Sequence, residues 1–171
     1  MLEKTRPYTT FEGNFQMVMV HTDGTDPVVN TVLRIGDGDV SIEIDGTVFR
    51  KTNATGTEVG MLVEVYEMSV PVTGGVPYSN TFSVNKQRVQ GGEGSKYSSL
   101  EDDGTMVVDL TGANILFRER GGATKSDVNR STGLNIRYNL KPNTDYLIRS
   151  TVTDGNSDES ASVLIGRMLE V

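Results

Sequence analysis

His21 is the one histidine in the chain, so any mechanism that relies on an imidazole base must pass through it. It falls at the end of the run FQMVMVHT (residues 15–22), beside Asp23. A triad also needs an activated nucleophile within its reach, and no G-x-S-x-G elbow occurs. His21 is therefore read as a polar strand end. Oxygen ligands come closest to a metal pattern in DGNSDE, where Asp154, Asn156 and Asp158 alternate. A calcium loop of the EF type adds a Gly at its sixth position, a Glu at its twelfth and flanking helices. Here Glu159 and Ile165 stand at those places, and the segment reads as a solvated hairpin turn, for which Asp, Asn and Gly are favoured. GDGD (residues 36–39) and EDDG (residues 101–104) are weaker versions of the same pattern.

Other chemistries find little to use. Glycoside hydrolysis rests on two carboxylates set by their spatial separation, yet sugar sites want exposed aromatic platforms. The chain has no Trp, and its six Tyr and five Phe fall mostly at strand positions. GGEG (residues 91–94) does not precede a helix, so it is not read as a phosphate cradle. With no cysteine, disulfides and thiolate metal sites are excluded. A non-enzymatic chain without cofactor or metal is the expectation.

What remains is surface charge. Sixteen basic and 23 acidic residues give a formal net charge of −7, and the longest basic run is Arg50-Lys51. A duplex-binding surface requires concentrated positive charge to release counterions, so nucleic acid is not an expected partner. Against this acidic background Arg118, Arg120, Lys125 and Arg130 cluster in and beside a polar stretch (residues 121–132), and Lys4, Arg6 and Tyr8 lie near the N-terminus. These seven residues are the expected partner contacts. No apolar run approaches the roughly 18 residues of a membrane helix, and MLEKTRPYTTFEG lacks the apolar segment of a secretory signal. Synthesis in a cytoplasm and no membrane association are expected.

The elements that must position these residues read as strands. Gly is frequent at 19 and Pro rare at 5, with Gly between short apolar runs. Aromatics at 6% suit a thin, two-layer core. Residues 1–12 read as an extended arm and residues 13–171 as one domain without internal repeats. Strands are expected over residues 15–22, over three short pieces of residues 31–51 with a hairpin turn at Asp45-Gly46, and over residues 57–70 and 76–85. A hairpin about Thr111-Gly112 follows within residues 105–120. LNIRYNL, DYLIRSTVT and SASVLIGRMLEV complete the set, about ten strands in all. Two long loops, residues 90–104 and 121–132, are expected between them, and loops of that length are commonly functional. The fold class is all-β, a jelly roll or β-sandwich.

One stretch says more. In NLKPNTDYLIR, Pro142 fixes φ and removes a backbone donor, so a strand ending near Leu140 must turn there. Tyr146 and Ile148 then share one face, Leu147 and Arg149 the other. A Tyr just after a bend can fold its hydroxyl back onto the backbone of the bend, the tyrosine corner of immunoglobulin-like sandwiches. LKPNTDYLIR resembles the L-x-P-x-T-x-Y run of fibronectin type III domains, but this chain lacks that family's Trp and matches none of its other strands. The corner points to a sandwich and not to that family.

A second resemblance spans residues 76–152. VPYSNTFSVNKQRV, then GTMVVDL, then LKPNTDYLIRSTV is similar to a set of tailed-bacteriophage virion proteins that share a P-x-N-x-N-R-like strand end, a G-T strand start and an LKPNT-x-Y corner. Tyr78-Ser79-Asn80 and Asn85-Lys86-Gln87-Arg88 approximate the first of these motifs. The resemblance implies a jelly-roll virion component, a cement or decoration protein on the capsid exterior. It implies a homotrimer at three-fold positions, the major capsid protein as partner and terminal arms reaching neighbouring subunits. A receptor- or glycan-binding head of a tail or fibre is the alternative.

Overall fold

The computed structural model describes residues 13–14, 28–38, 40–51, 59–77, 97–123, 128–130, 136–152 and 159–170. Among them there is no helix, and every strand pairs antiparallel. The strands are β1 (Gly13–Asn14), β2 (Val28–Ile35), β3 (Val40–Lys51), β4 (Val59–Glu67), β5 (Val76–Pro77), β6 (Tyr97–Glu101), β7 (Asn114–Ala123), β8 (Val128–Arg130), β9 (Ile136–Leu140), β10 (Asp145–Val152) and β11 (Glu159–Glu170). Six form one sheet in the order β5-β6-β2-β10-β4-β7. In the other, β1-β11-β3-β8, strand β9 also pairs with β3. Strands β4, β7 and β10 lie against β3 and β11 of the second sheet.

Alternation explains why these segments are strands. In β3, Val40 and Ile42 are buried on one face, while Ser41, on the other, is sealed by a 2.8 Å hydrogen bond to Asn139 Oδ1 on the neighbouring β9. In β10, Tyr146 and Ile148 are buried on one face and Leu147 on the other. A central strand covered on both sides accounts for that double burial. Burying each such Leu or Ile contributes roughly 1.5–3 kcal/mol relative to exposure.

The stretch around Pro142 is where a two-stranded ribbon changes sheets. β2 leads into β3 as β9 leads into β10, and β2 pairs with β10 while β3 pairs with β9. The two bends are tied to each other. Asn143 N–H donates to Gly36 O at 2.7 Å, and Ile35 N–H donates to Thr144 O at 3.0 Å. Asn143 carries the left-handed φ of 53°, a conformation that Asn adopts more readily than most residues. The expected tyrosine corner is present: the Tyr146 hydroxyl accepts the Lys141 N–H at 2.8 Å.

Four expectations are corrected. Asp45-Gly46 is not a hairpin turn but lies inside the continuous β3, where the pairing with β11 skips a residue. Asp45 is skipped on β3 and Gly166 on β11, and these two offsetting irregularities let the long pairing continue on both sides. Within the loop expected over residues 90–104, Tyr97–Glu101 is a strand paired to β2, with Leu100 on the Val32 side. The loop expected over residues 121–132 holds the end of β7 and all of β8. Conversely, residues 105–110 do not form a strand. An isolated Thr73–Val107 bridge joins them to the segment after β4 and not to a strand, although the turn at Thr111-Gly112 stands, with Ala113 N–H on Leu110 O at 3.1 Å. The arm of residues 1–12, the strand of residues 15–22, most of residues 76–85 and the residues His21, Asp154, Asn156 and Asp158 lie outside the described residues.

Candidate functional site

Segments 68–77 and 102–113 fold across one face of the six-stranded sheet. Val32, Tyr66, Met68, Val72 and Leu147 form a buried cluster there, and Leu100, Met106, Val108, Leu110 and Ala113 pack on it. The Asp-rich EDDG stretch serves this cover. Asp102 Oδ1 accepts Gly104 N–H at 3.0 Å, and Asp103 Oδ1 accepts Thr105 N–H at 3.1 Å and its hydroxyl at 2.6 Å. The Thr105 hydroxyl, and then its N–H, lower the Asp103 carboxyl from its ordinary value. Such side-chain-to-backbone bonds are the turn chemistry of Asp. Among the described residues no group of three His, Asp or Glu side chains lies close enough to hold a metal ion.

Along the edge of this cover runs a polar row that crosses the sheet. Asn30 Nδ2 donates to Asp102 Oδ2 at 3.0 Å, and Arg149 Nε donates to Asn30 Oδ1 at 2.9 Å. Arg149 stands opposite both Asn30 and Glu64 in register, and Glu64 stands opposite Arg118. Arg118 Nε and Nη2 meet Glu64 Oε1 at 2.6 and 2.5 Å. Glu64 is buried, so its charge requires this partner; an unpaired buried carboxylate is costly. The hydrogen bond to Glu64 raises the Arg118 guanidinium further above its ordinary value. Burial, then Glu64, raises the Tyr66 phenol. Arg120 lies two residues further on the same face of β7, opposite Leu62, and is exposed. Among the described residues it has neither an ion pair nor a side-chain hydrogen bond.

A second polar unit sits at the ribbon bend. Arg34 Nε and Nη2 reach Asp145 Oδ1 and Oδ2, each at 2.9 Å. Arg34 Nη2 also donates to Val72 O at 2.6 Å, and Val72 N–H donates to Asp145 Oδ2 at 2.8 Å. The hydrogen bond from Arg34 to Asp145 is the main reason its guanidinium is raised. The fork geometry suits a carboxylate held two-handed. It clamps segment 68–77 to the sheet. Beside it opens a cavity of about 360 Å³, walled by Ile35, Met68 and Pro71 and rimmed by Arg34, Ser69 and Asn143.

Of the seven residues expected to meet a partner, Arg118 and Arg120 are brought together on β7. Arg130 falls on β8 in the other sheet, opposite Val48. Lys4, Arg6, Tyr8 and Lys125 lie outside the described residues. Sequence reasoning missed Arg34, Asp145, Arg149 and Glu64. A signal was there: Asn30 and Arg34 in β2 have the same four-residue spacing as Asp145 and Arg149 in β10, so antiparallel pairing sets Arg34 against Asp145 and Asn30 against Arg149. Compared with protein-family models, with curated proteins and with solved structures, the chain matches none.

Proposed function

We propose that this chain is a structural virion protein of a tailed phage, a non-enzymatic cement protein that binds the outer surface of the capsid as a homotrimer. The observation that carries the reading is the Arg118–Arg120 pair, both exposed on β7 in a chain of net charge −7. Arg118 is held rigid by Glu64, and Arg120 presents a cation without a carboxylate among the described residues. One guanidinium anchored on Glu64 and one exposed cation beside it on the same strand suit docking against an acidic patch of the major capsid protein, where charge complementarity sets register and on-rate. A trimer repeats each contact three times, so weak contacts add through multivalency.

A jelly-roll sandwich is the finer reading of the fold. The ribbon that passes from β2/β10 to β3/β9 supports it, as does the double burial of β10. The resemblance of residues 76–152 to phage virion proteins supports the location on the capsid exterior. The described aromatic side chains Tyr66, Phe117, Tyr138 and Tyr146 are buried or half-buried, which favours the cement over a glycan-binding head.

Co-sedimentation of the wild type and of Arg120→Glu with capsids stripped of this protein tests the reading. Wild type binds saturably, and the charge reversal weakens binding roughly tenfold without a change in fold, as expected for a rim charge. Equal binding by both proteins removes β7 from the interface.

A further inference from the structure

We propose that the cavity beside Arg34 is a carboxylate-binding pocket, and this stands independently of the cement reading. A guanidinium has five N–H donors and no acceptor. Three of those on Arg34 are engaged, by the two Asp145 oxygens and by Val72 O. Among the described residues the two on Nη1 have no partner. The side chain is 42% exposed, so these donors are within reach of a ligand. Asn143 lines the same cavity, and its side-chain amide adds a donor that has no partner among the described residues. Its position is fixed from both sides, by the φ of 53° and by its N–H on Gly36 O.

The remaining polar groups do not compete for a ligand. Asp145 is buried and accepts three hydrogen bonds from Arg34 and Val72, so its charge is answered on the far edge of the guanidinium. Ser69 donates its hydroxyl to Thr111 O at 2.6 Å, and Thr144 donates its hydroxyl to Pro142 O at 3.0 Å. The rim therefore offers N–H donors to an acceptor with two oxygens. The wall offers Ile35, Met68 and Pro71 to a short aliphatic stem. At about 360 Å³ the space suits a small acid or one acidic side chain, near the lower end of ligand pockets. Because Arg34 and Asp145 neutralise each other, recognition is by directed hydrogen bonds rather than by net charge, and affinity is modest.

Isotope-labelled protein titrated with sodium propanoate at constant ionic strength, followed by NMR, tests this. The Arg34 Nε–H and Asn143 side-chain amide signals shift saturably, while propanamide and sodium chloride leave them in place. A Gly-Glu-Gly peptide blocked at both ends identifies the source of the carboxylate. Tighter binding than propanoate assigns the pocket to an acidic side chain, weaker binding to a free acid, and either order supports the site. Asn143→Asp keeps a residue that tolerates the left-handed bend and turns a donor into an anion. It weakens binding at least tenfold while the other backbone signals stay put. An equal response to propanamide or chloride overturns the proposal. So does wild-type binding by Asn143→Asp, or a failure to saturate below about 100 mM, where affinity is below roughly 1.4 kcal/mol.

Discussion

The Tyr146 hydroxyl accepts the Lys141 backbone N–H at 2.8 Å, closing the bend of residues 141–144 with a side chain from the strand that leaves it. The same hydroxyl lies 3.3 Å from Glu67 Oε2 on β4, and Lys141 Nζ lies 2.6 Å from Glu67 Oε1. One phenol thus ties the bend to two strands. Tyr146→Phe keeps the buried ring and removes the ties. A net cost of about 1 kcal/mol is expected, read as a fall in Tm of roughly 2–4 °C for a chain of this size. Unchanged stability would show that solvent replaces the hydroxyl without loss.

The Arg34–Asp145 clamp is the larger effect. Asp145→Asn leaves an amide N–H₂ facing donors on Arg34 and Val72. Breaking a buried pair costs about 3–5 kcal/mol, and the 42% exposure of Arg34 reduces this to about 2–3 kcal/mol. Urea unfolding of Asp145→Asn, Arg34→Met and the double variant measures the coupling directly. Additive losses would mean that the two groups act separately.

The cover over the six-stranded sheet makes a sharper distinction between two glycines. Both have positive φ, 75° at Gly74 and 87° at Gly104. A Cβ on Gly74 would stand 2.2 Å from Thr105 O, whereas one on Gly104 meets nothing within 4 Å. Gly104→Ala is expected to cost about 1–2 kcal/mol from backbone strain alone. Gly74→Ala must also push segments 68–77 and 102–113 apart, and it is expected to be the more destabilising of the two in thermal unfolding.

Glu67 predicts a pH dependence. The hydrogen bond from Lys141 is the main cause that holds its carboxyl below the ordinary 4.5. A group with a depressed folded-state pKa stabilises the fold above its unfolded value and loses that stabilisation as pH falls through the folded value. The difference in stability between wild type and Glu67→Gln is therefore constant at neutral pH and changes only below about pH 4.5. Denaturant unfolding from pH 7 to pH 2 checks it. A difference that changes instead between pH 5 and 7 would contradict the assignment.

How far the sequence was legible depended on range. The corner was legible because Pro142, Asn143 and Tyr146 act within a few residues of one another. Alternation likewise marked β4, β10 and β11 as strands. β6 was not legible, because YSSLE has little apolar character of its own and is a strand through pairing with β2 and through Leu100 on the buried cluster. Residues 105–110 misled in the opposite direction. Met106, Val108 and Leu110 alternate as a strand does, yet they cover a sheet rather than join it. The same holds for the site. Arg118 and Arg120 stood out by charge, but Arg34 and Asp145 are 111 residues apart and become neighbours only once β2 and β10 are paired.

The proposed role, holding a shell together from outside, is tested most directly by quantitative binding to stripped capsids. Binding is expected to saturate at a copy number that is a multiple of three, with the occupied shells resisting heat better than bare ones. Absence of binding, or binding that leaves the thermal stability of the shell unchanged, would contradict it.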